Sequence, residues 1–113
     1  MFNGCTSLTQ APDLPAINLA VNCYNSMFRS CTALTQAPVL PATNLATLCY
    51  CDMFRGCTKL DNINVNFSAW NPKNATEDWA LNVAASGTFT CPAGLPEEFG
   101  ESRIPTGWKV IRK

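Results

Sequence analysis

Residues 27–52 read Met27-Phe28-Arg29-Ser30-Cys31-Thr32-Ala33-Leu34-Thr35-Gln36-Ala37-Pro38-Val39-Leu40-Pro41-Ala42-Thr43-Asn44-Leu45-Ala46-Thr47-Leu48-Cys49-Tyr50-Cys51-Asp52. Residues 1–26 carry the same unit: 17 of the 26 positions are identical, and the exceptions fall at 3, 4, 7, 13, 17, 21, 22, 25 and 26. A third copy opens at Met53-Phe54-Arg55-Gly56-Cys57-Thr58-Lys59-Leu60 and then departs from the pattern. A fixed period between about 20 and 50 residues marks a solenoid, in which each unit buries its apolar face against its neighbours. The repeat therefore decides the expected architecture before any single residue is considered.

Each unit divides in two. Leu19, Cys23, Tyr24, Met27 and Phe28 lie at i, i+4, i+5, i+8 and i+9, the spacing of one face of an α-helix. Asn18 and Asn44 stand where an N-cap would. Such residues form a packed face in preference to any cofactor box. The other half, Leu8-Thr9-Gln10-Ala11-Pro12-Asp13-Leu14-Pro15, cannot be helix interior because of its prolines. Its Leu-x-x-Ala-x-x-Leu spacing suits a short strand whose pairing ends at or before Pro12 and Pro38. The expectation is an α/β chain built as a solenoid of strand-plus-helix coils with a 26-residue period.

The stretches Cys5-Thr6-Ser7-Leu8-Thr9 and Cys31-Thr32-Ala33-Leu34-Thr35, each followed by Leu-Pro and a segment running into Met-Phe, carry a resemblance. They resemble the repeats of the BspA-like leucine-rich-repeat surface proteins of Bacteroides and related bacteria. The likeness covers residues 1–60. Gly87-Thr88-Phe89 and Ile104-Pro105-Thr106-Gly107-Trp108 are similar, less specifically, to the Trp-rich C-terminal segment of such proteins. The resemblance implies a non-enzymatic surface module that adheres to host or bacterial surface proteins.

Beyond residue 60 the composition shifts. Residues 1–52 hold only three charges, Asp13, Arg29 and Asp52, whereas most of the charges and all three tryptophans (Trp70, Trp79 and Trp108) lie in residues 61–113. Ile63, Val65 and Phe67 alternate with Asn62, Asn64 and Asn66, which predicts a half-buried strand. Asn74-Ala75-Thr76-Glu77 has the form of a capping box opening a helix, and Gly87 of its C-terminal stop. Thr88–Cys91 and Trp108–Ile111 read as further strands. A solenoid end must be covered, so residues 1–60 are expected to be repeats (1–26, 27–52 and the start of a third at 53) and 61–113 an α+β cap. With no matching N-terminal cap, the first coil offers an edge for self-association with a second chain.

The remaining composition removes function classes. Eight Lys and Arg balance eight Asp and Glu, which leaves no basic footprint for nucleic acid. No apolar run reaches the roughly 18–20 residues of a membrane span, so no direct insertion is expected. The chain has no histidine, the usual partner of a Ser or Cys nucleophile. The adjacent carboxylates Glu77-Asp78 and Glu97-Glu98 suit a first helical turn and a polar loop. Of the seven cysteines, Cys5, Cys31 and Cys57 share one repeat position and Cys23 and Cys49 another. Stacked equivalents point in parallel, which favours buried thiols over disulfides. Cys49-x-Cys51 lacks zinc spacing, so neither metal nor cofactor is expected.

What remains is an extracellular binding module, with the export signal expected upstream. The outward positions of the strand side are Thr9, Gln10, Asp13, Thr35, Gln36, Val39, Asp61, Asn62 and Asn64. A second reading is a spacer on the bacterial surface with no ligand of its own, because near-identical units differentiate few positions.

Overall fold

A run of polar and apolar residues in strict alternation forms a strand when one side can be buried. Asn62-Ile63-Asn64 does this as β1 (Asn62–Asn64), with Ile63 inside and both asparagines at the surface. β2 (Thr88–Cys91) buries Phe89 and Cys91, and β3 (Lys109–Arg112) completes a three-stranded parallel sheet in the order β1-β2-β3. These elements belong to a computed structural model that describes residues 4–10, 19–70 and 74–113. β1 pairs Asn62 with Thr88, and β2 pairs Thr88 with Lys109. The isolated bridge Gln10↔Gln36 extends the same ladder to the first units. Parallel neighbours 26 residues apart between β1 and β2, and 21 apart between β2 and β3, mean that the chain makes one circuit between strands. The strands expected at 61–67, 88–91 and 108–111 are thus present, the first shortened and the last displaced by one residue.

The ladder carries a one-residue bulge. Gln36 would pair with Asn62, the residue 26 positions on, but Leu40 bridges Val65, 25 positions on. The extra residue falls at Pro38-Val39. Proline has no N–H to give to a ladder, and the bulge that accommodates it leaves Pro38 buried and Val39 exposed.

The strand-plus-helix leucine-rich-repeat solenoid is not what forms: among the described residues there is no helix, and the regular structure is the three short parallel strands. The segment expected to be helical is a row of consecutive turns. Cys23, Asn25, Met27 and Arg29 donate their N–H groups three residues back, to Ala20, Asn22, Tyr24 and Ser26. The residues between them donate outward instead, Asn22 to Thr47, Tyr24 to Cys49, Ser26 to Cys51 and Phe28 to Met53, at 2.8–3.1 Å. An α-helix would spend every N–H within its own segment. Here half of them tie one coil to the next.

This conformation needs a left-handed residue at every fourth position. Asn22, Ser26 and Ser30 have φ of 57–63°, as do their equivalents Leu48, Asp52 and Gly56 and, in the third row, Asp78 and Asn82, at 51–80°. Asn, Asp and Gly tolerate that region best. A four-residue turn period also places i, i+4 and i+8 on one side, so the apolar face is buried as expected, with Cys49, Tyr50, Met53 and Phe54 fully inside. Cys23 is exposed in the first row.

The α+β cap is corrected in the same way. Asn74-Ala75-Thr76-Glu77 opens a third turn row, not a helix, and Tyr50, Asp52, Phe54 and Gly56 donate to its carbonyls at Ala75, Glu77, Trp79 and Leu81. Gly87 ends no helix. It lies where a Cβ would sit 2.5 Å from the Asp61 carbonyl oxygen and 2.8 Å from the Trp108 ring, so only glycine lets that indole pack across the sheet end. The three tryptophans are buried, and each indole N–H crosses to a neighbouring coil: Trp70 to Pro96 O, Trp79 to Arg103 O and Trp108 to Ala84 O, all at 2.8 Å. The core runs from Phe28 and Leu34 through Phe54, Phe67 and Trp79 to Phe89 and Ile104.

Candidate functional site

The sheet positions the residues singled out as outward-facing. Thr9, Gln10, Thr35, Gln36 and Asp61 are exposed, and Asn62 and Asn64 are half-buried on β1. Val39 is 51% exposed on the bulge. Asp13 lies outside the described residues. Gln10 bridges Gln36, and Asn62, Thr88 and Lys109 pair in register; the Ala37 N–H, donating to Asn62 O at 3.1 Å, joins the two parts into one row. Neighbouring strands lie about 4.8 Å apart, so the row spans roughly 19 Å. Asn64, Thr90 and Ile111 form a second row beside it, with Ile111 43% exposed. Thr35 and Asp61 are joined through the backbone, the Asp61 N–H donating to Thr35 O at 3.1 Å.

The outward positions expected from the sequence end at Asn64, and the strand pairing adds Thr88, Thr90, Lys109 and Ile111 to the same face. The signal lay in Thr88-Phe89-Thr90-Cys91, where alternation like that of Asn62-Ile63-Asn64 marks the same outward row. The extension also gives the face its charge. Among the described residues its early rows are neutral apart from Asp61, and its late end carries Lys109, Arg112 and Lys113. Lys113 Nζ donates to Asn64 Oδ1 at 2.7 Å. Arg112 is engaged with the loop before it, donating to Leu95 O at 2.6 Å and pairing with Glu97 at 3.4 Å.

Several other charged side chains pair within the fold. Asp52 pairs with Arg55 at 3.6 Å and Arg29 at 4.0 Å on the turn-row side, and Glu98 pairs with Arg103 at 3.4 Å. All seven cysteines carry free thiols. Burial pushes the Cys49 thiol up to about 11 and the Cys57 thiol up to about 12, the opposite of what a nucleophile or thiolate ligand requires. Cys57 Sγ donates to Phe28 O at 3.0 Å, which fixes it as part of the coil contact. Among the described residues no three His, Cys, Asp or Glu side chains are placed to hold a metal ion, and no helix is long and apolar enough to cross a membrane. A shallow cleft of about 200 Å³ lies between Ala80, Asn82, Glu101 and Thr106. It opens where the register drops from 26 residues to 21.

No protein family, curated protein or solved structure matches the chain.

Proposed function

We propose that the chain is a non-enzymatic binding module whose outward sheet face engages a protein at the bacterial surface or on a host. The observation that carries the proposal is the polar face made of the register pairs Gln10-Gln36 and Asn62-Thr88-Lys109, joined by the Ala37 to Asn62 backbone hydrogen bond and flanked by Thr9, Thr35, Asp61 and Asn64. Stacked coils produce extended surfaces of this kind, and amides and hydroxyls at a fixed spacing recognise a partner through hydrogen bonds. The chemistry of the cysteines and carboxylates supports binding over catalysis, since burial holds the Cys49 and Cys57 thiols protonated and Glu97 and Glu98 are ion-paired. The resemblance of residues 1–60 to BspA-like surface proteins supports an extracellular location.

The near-identity of the first two units favours a second reading, a spacer that holds other segments away from the cell. The two separate in a binding assay against immobilised extracellular-matrix and serum proteins. The binding module retains at least one of them, and Gln36→Ala with Asn62→Ala weakens that capture with circular dichroism unchanged. Capture that survives both substitutions moves the site off this face. No retention of any protein favours the spacer.

A further inference from the structure

The turn rows pass hydrogen bonds from coil to coil until the step after the third row. Tyr50, Asp52, Phe54 and Gly56 each donate an N–H to a carbonyl of that row, Gly56 to Leu81 O at 2.8 Å. The next step is shorter, since β2 and β3 lie 21 residues apart where β1 and β2 lie 26 apart. The Asp78 N–H meets Ser102 Oγ at 3.0 Å and the Ala80 N–H meets Glu101 O at 3.1 Å. The Asn82 N–H, next in the series, has no acceptor among the described residues. Beyond Glu101 the chain leaves the row and returns at Trp108, whose indole N–H donates to Ala84 O at 2.8 Å. The cleft of about 200 Å³ is the space between.

Ala80, Val83, Ala84 and Pro105 give the cleft an apolar lining, and Asn82, Glu101 and Thr106 give it polar groups. Neither lysine nor arginine lines it, so the Glu101 carboxylate is its one charge. Among the described residues no cation pairs with Glu101, whereas Glu97 is paired with Arg112 and Glu98 with Arg103, both at 3.4 Å. Arg103, two residues along, is committed elsewhere: its guanidinium donates to Thr76 Oγ1 and Ser102 O and lies 5.4 Å from the centre of the Trp70 ring.

An unpaired carboxylate beside apolar surface suits a cation that carries its own hydrocarbon stem. Lysine has that form, a flexible carbon chain ending in a compact ammonium with three donors and no acceptor. The Asn82 N–H calls for the complement, an acceptor oxygen. Gly56, its equivalent one coil earlier, donates to a main-chain carbonyl. A lysine within a peptide supplies both groups, and a free alkylamine supplies only the first. We propose that the cleft binds a lysine-bearing peptide segment of a partner protein. The ammonium meets the Glu101 carboxylate, the methylenes lie on Ala80, Val83 and Pro105, and a main-chain carbonyl of the peptide accepts from the Asn82 N–H. The site uses no residue of the sheet face and stands whether or not that face binds a protein.

Titration of the isotope-labelled chain with the peptide acetyl-Gly-Lys-Gly-amide, read by amide chemical shifts, tests the proposal. The Asn82 and Thr106 amides shift saturably while those of Gln36 and Asn62 stay in place. Two comparison ligands each bind more weakly: the norleucine peptide, which lacks the ammonium, and n-pentylamine, which lacks the carbonyl. Glu101→Gln keeps the main-chain bond to Ala80 and weakens the lysine peptide about threefold, the worth of an exposed ion pair. It leaves the norleucine peptide unchanged. Absence of a saturable shift at Asn82 overturns the proposal, and so does equal binding of either comparison ligand. An affinity unaltered in a folded Glu101→Gln chain overturns it as well. Should that variant lose its circular dichroism signal, added salt decides with the unaltered chain. Salt must weaken the lysine peptide and spare the norleucine peptide, and binding of the lysine peptide that ignores salt overturns the proposal.

Discussion

Tyr50 shows what a repeat imposes on one residue. Its ring stacks on Tyr24 at 6.0 Å and on Trp79 at 6.1 Å, continuing a column that the 26-residue period sets up. The coil beneath is different, however, and leaves the Tyr50 hydroxyl buried without a hydrogen-bond partner among the described residues. Burial pushes the phenol far above its usual range. Removing an unsatisfied polar atom while keeping the ring relieves a desolvation cost. Tyr50→Phe should therefore be neutral or more stable by about 1 kcal/mol in urea unfolding. A loss of that size would show that the hydroxyl has a partner. That Tyr50 would be buried was legible from its place on the apolar face. Its orphaned hydroxyl was not, since it depends on what the next coil places opposite.

The turn row explains why a helical spacing misled. A helix turns by about 100° per residue and a four-residue turn unit by about 90°, so over nine residues the two differ by only about a quarter turn. Leu19, Cys23, Tyr24, Met27 and Phe28 fit either. What separates them is the backbone, through the left-handed positions Asn22, Ser26 and Ser30, then Leu48, Asp52 and Gly56, then Asp78 and Asn82. Read at a spacing of four, these residue types were visible in the sequence, with Ser26, Ser30 and Leu48 the exceptions. A left-handed conformation costs an ordinary residue about 1–2 kcal/mol, and asparagine is among the residues that tolerate it. Leu48→Asn, which installs what the preceding unit has at Asn22, should raise stability by about 0.5–1 kcal/mol in thermal unfolding. A fall in melting temperature would mean that the half-buried leucine side chain outweighs the backbone strain. The bulge at Pro38-Val39 was half legible: proline announced an interruption, but only the pairing of Leu40 with Val65 showed that the ladder resumes.

Across the whole molecule, stacked coils bury rows of like residues together, and the thiols make this measurable. Cys49 and Cys57 keep their protons up to about 11 and about 12, against a usual value of 9.0. The unfolded chain gives up those protons first, so above pH 9 it binds fewer than the native state. Stability then falls as pH rises. The contribution is complete below about pH 9 and is lost progressively toward 11–12, at up to about 1.4 kcal/mol per pH unit for each thiol. Urea midpoints at pH 7, 9 and 10.5 under reducing conditions should be level across the first interval and drop across the second. A flat profile throughout would mean that the two thiols are open to solvent.

The sequence by itself determined the 26-residue period, the rows that the period builds, the alternation that makes β1 and β2 and the burial of the apolar face. These follow from which residues recur and at what spacing, and they hold whatever backbone carries them. The tertiary structure decided the rest. It settled that half the amides bind the next coil, because a turn row becomes preferable to a helix only when a neighbouring coil supplies acceptors at the same register. It also decided that residues 61–113 continue the stack, through indole and backbone contacts spanning 24–26 residues that no local pattern contains. The outward face exists for the same reason. Gln10, Gln36, Asn62 and Thr88 are far apart along the chain, and only the closing of successive coils sets them in one row.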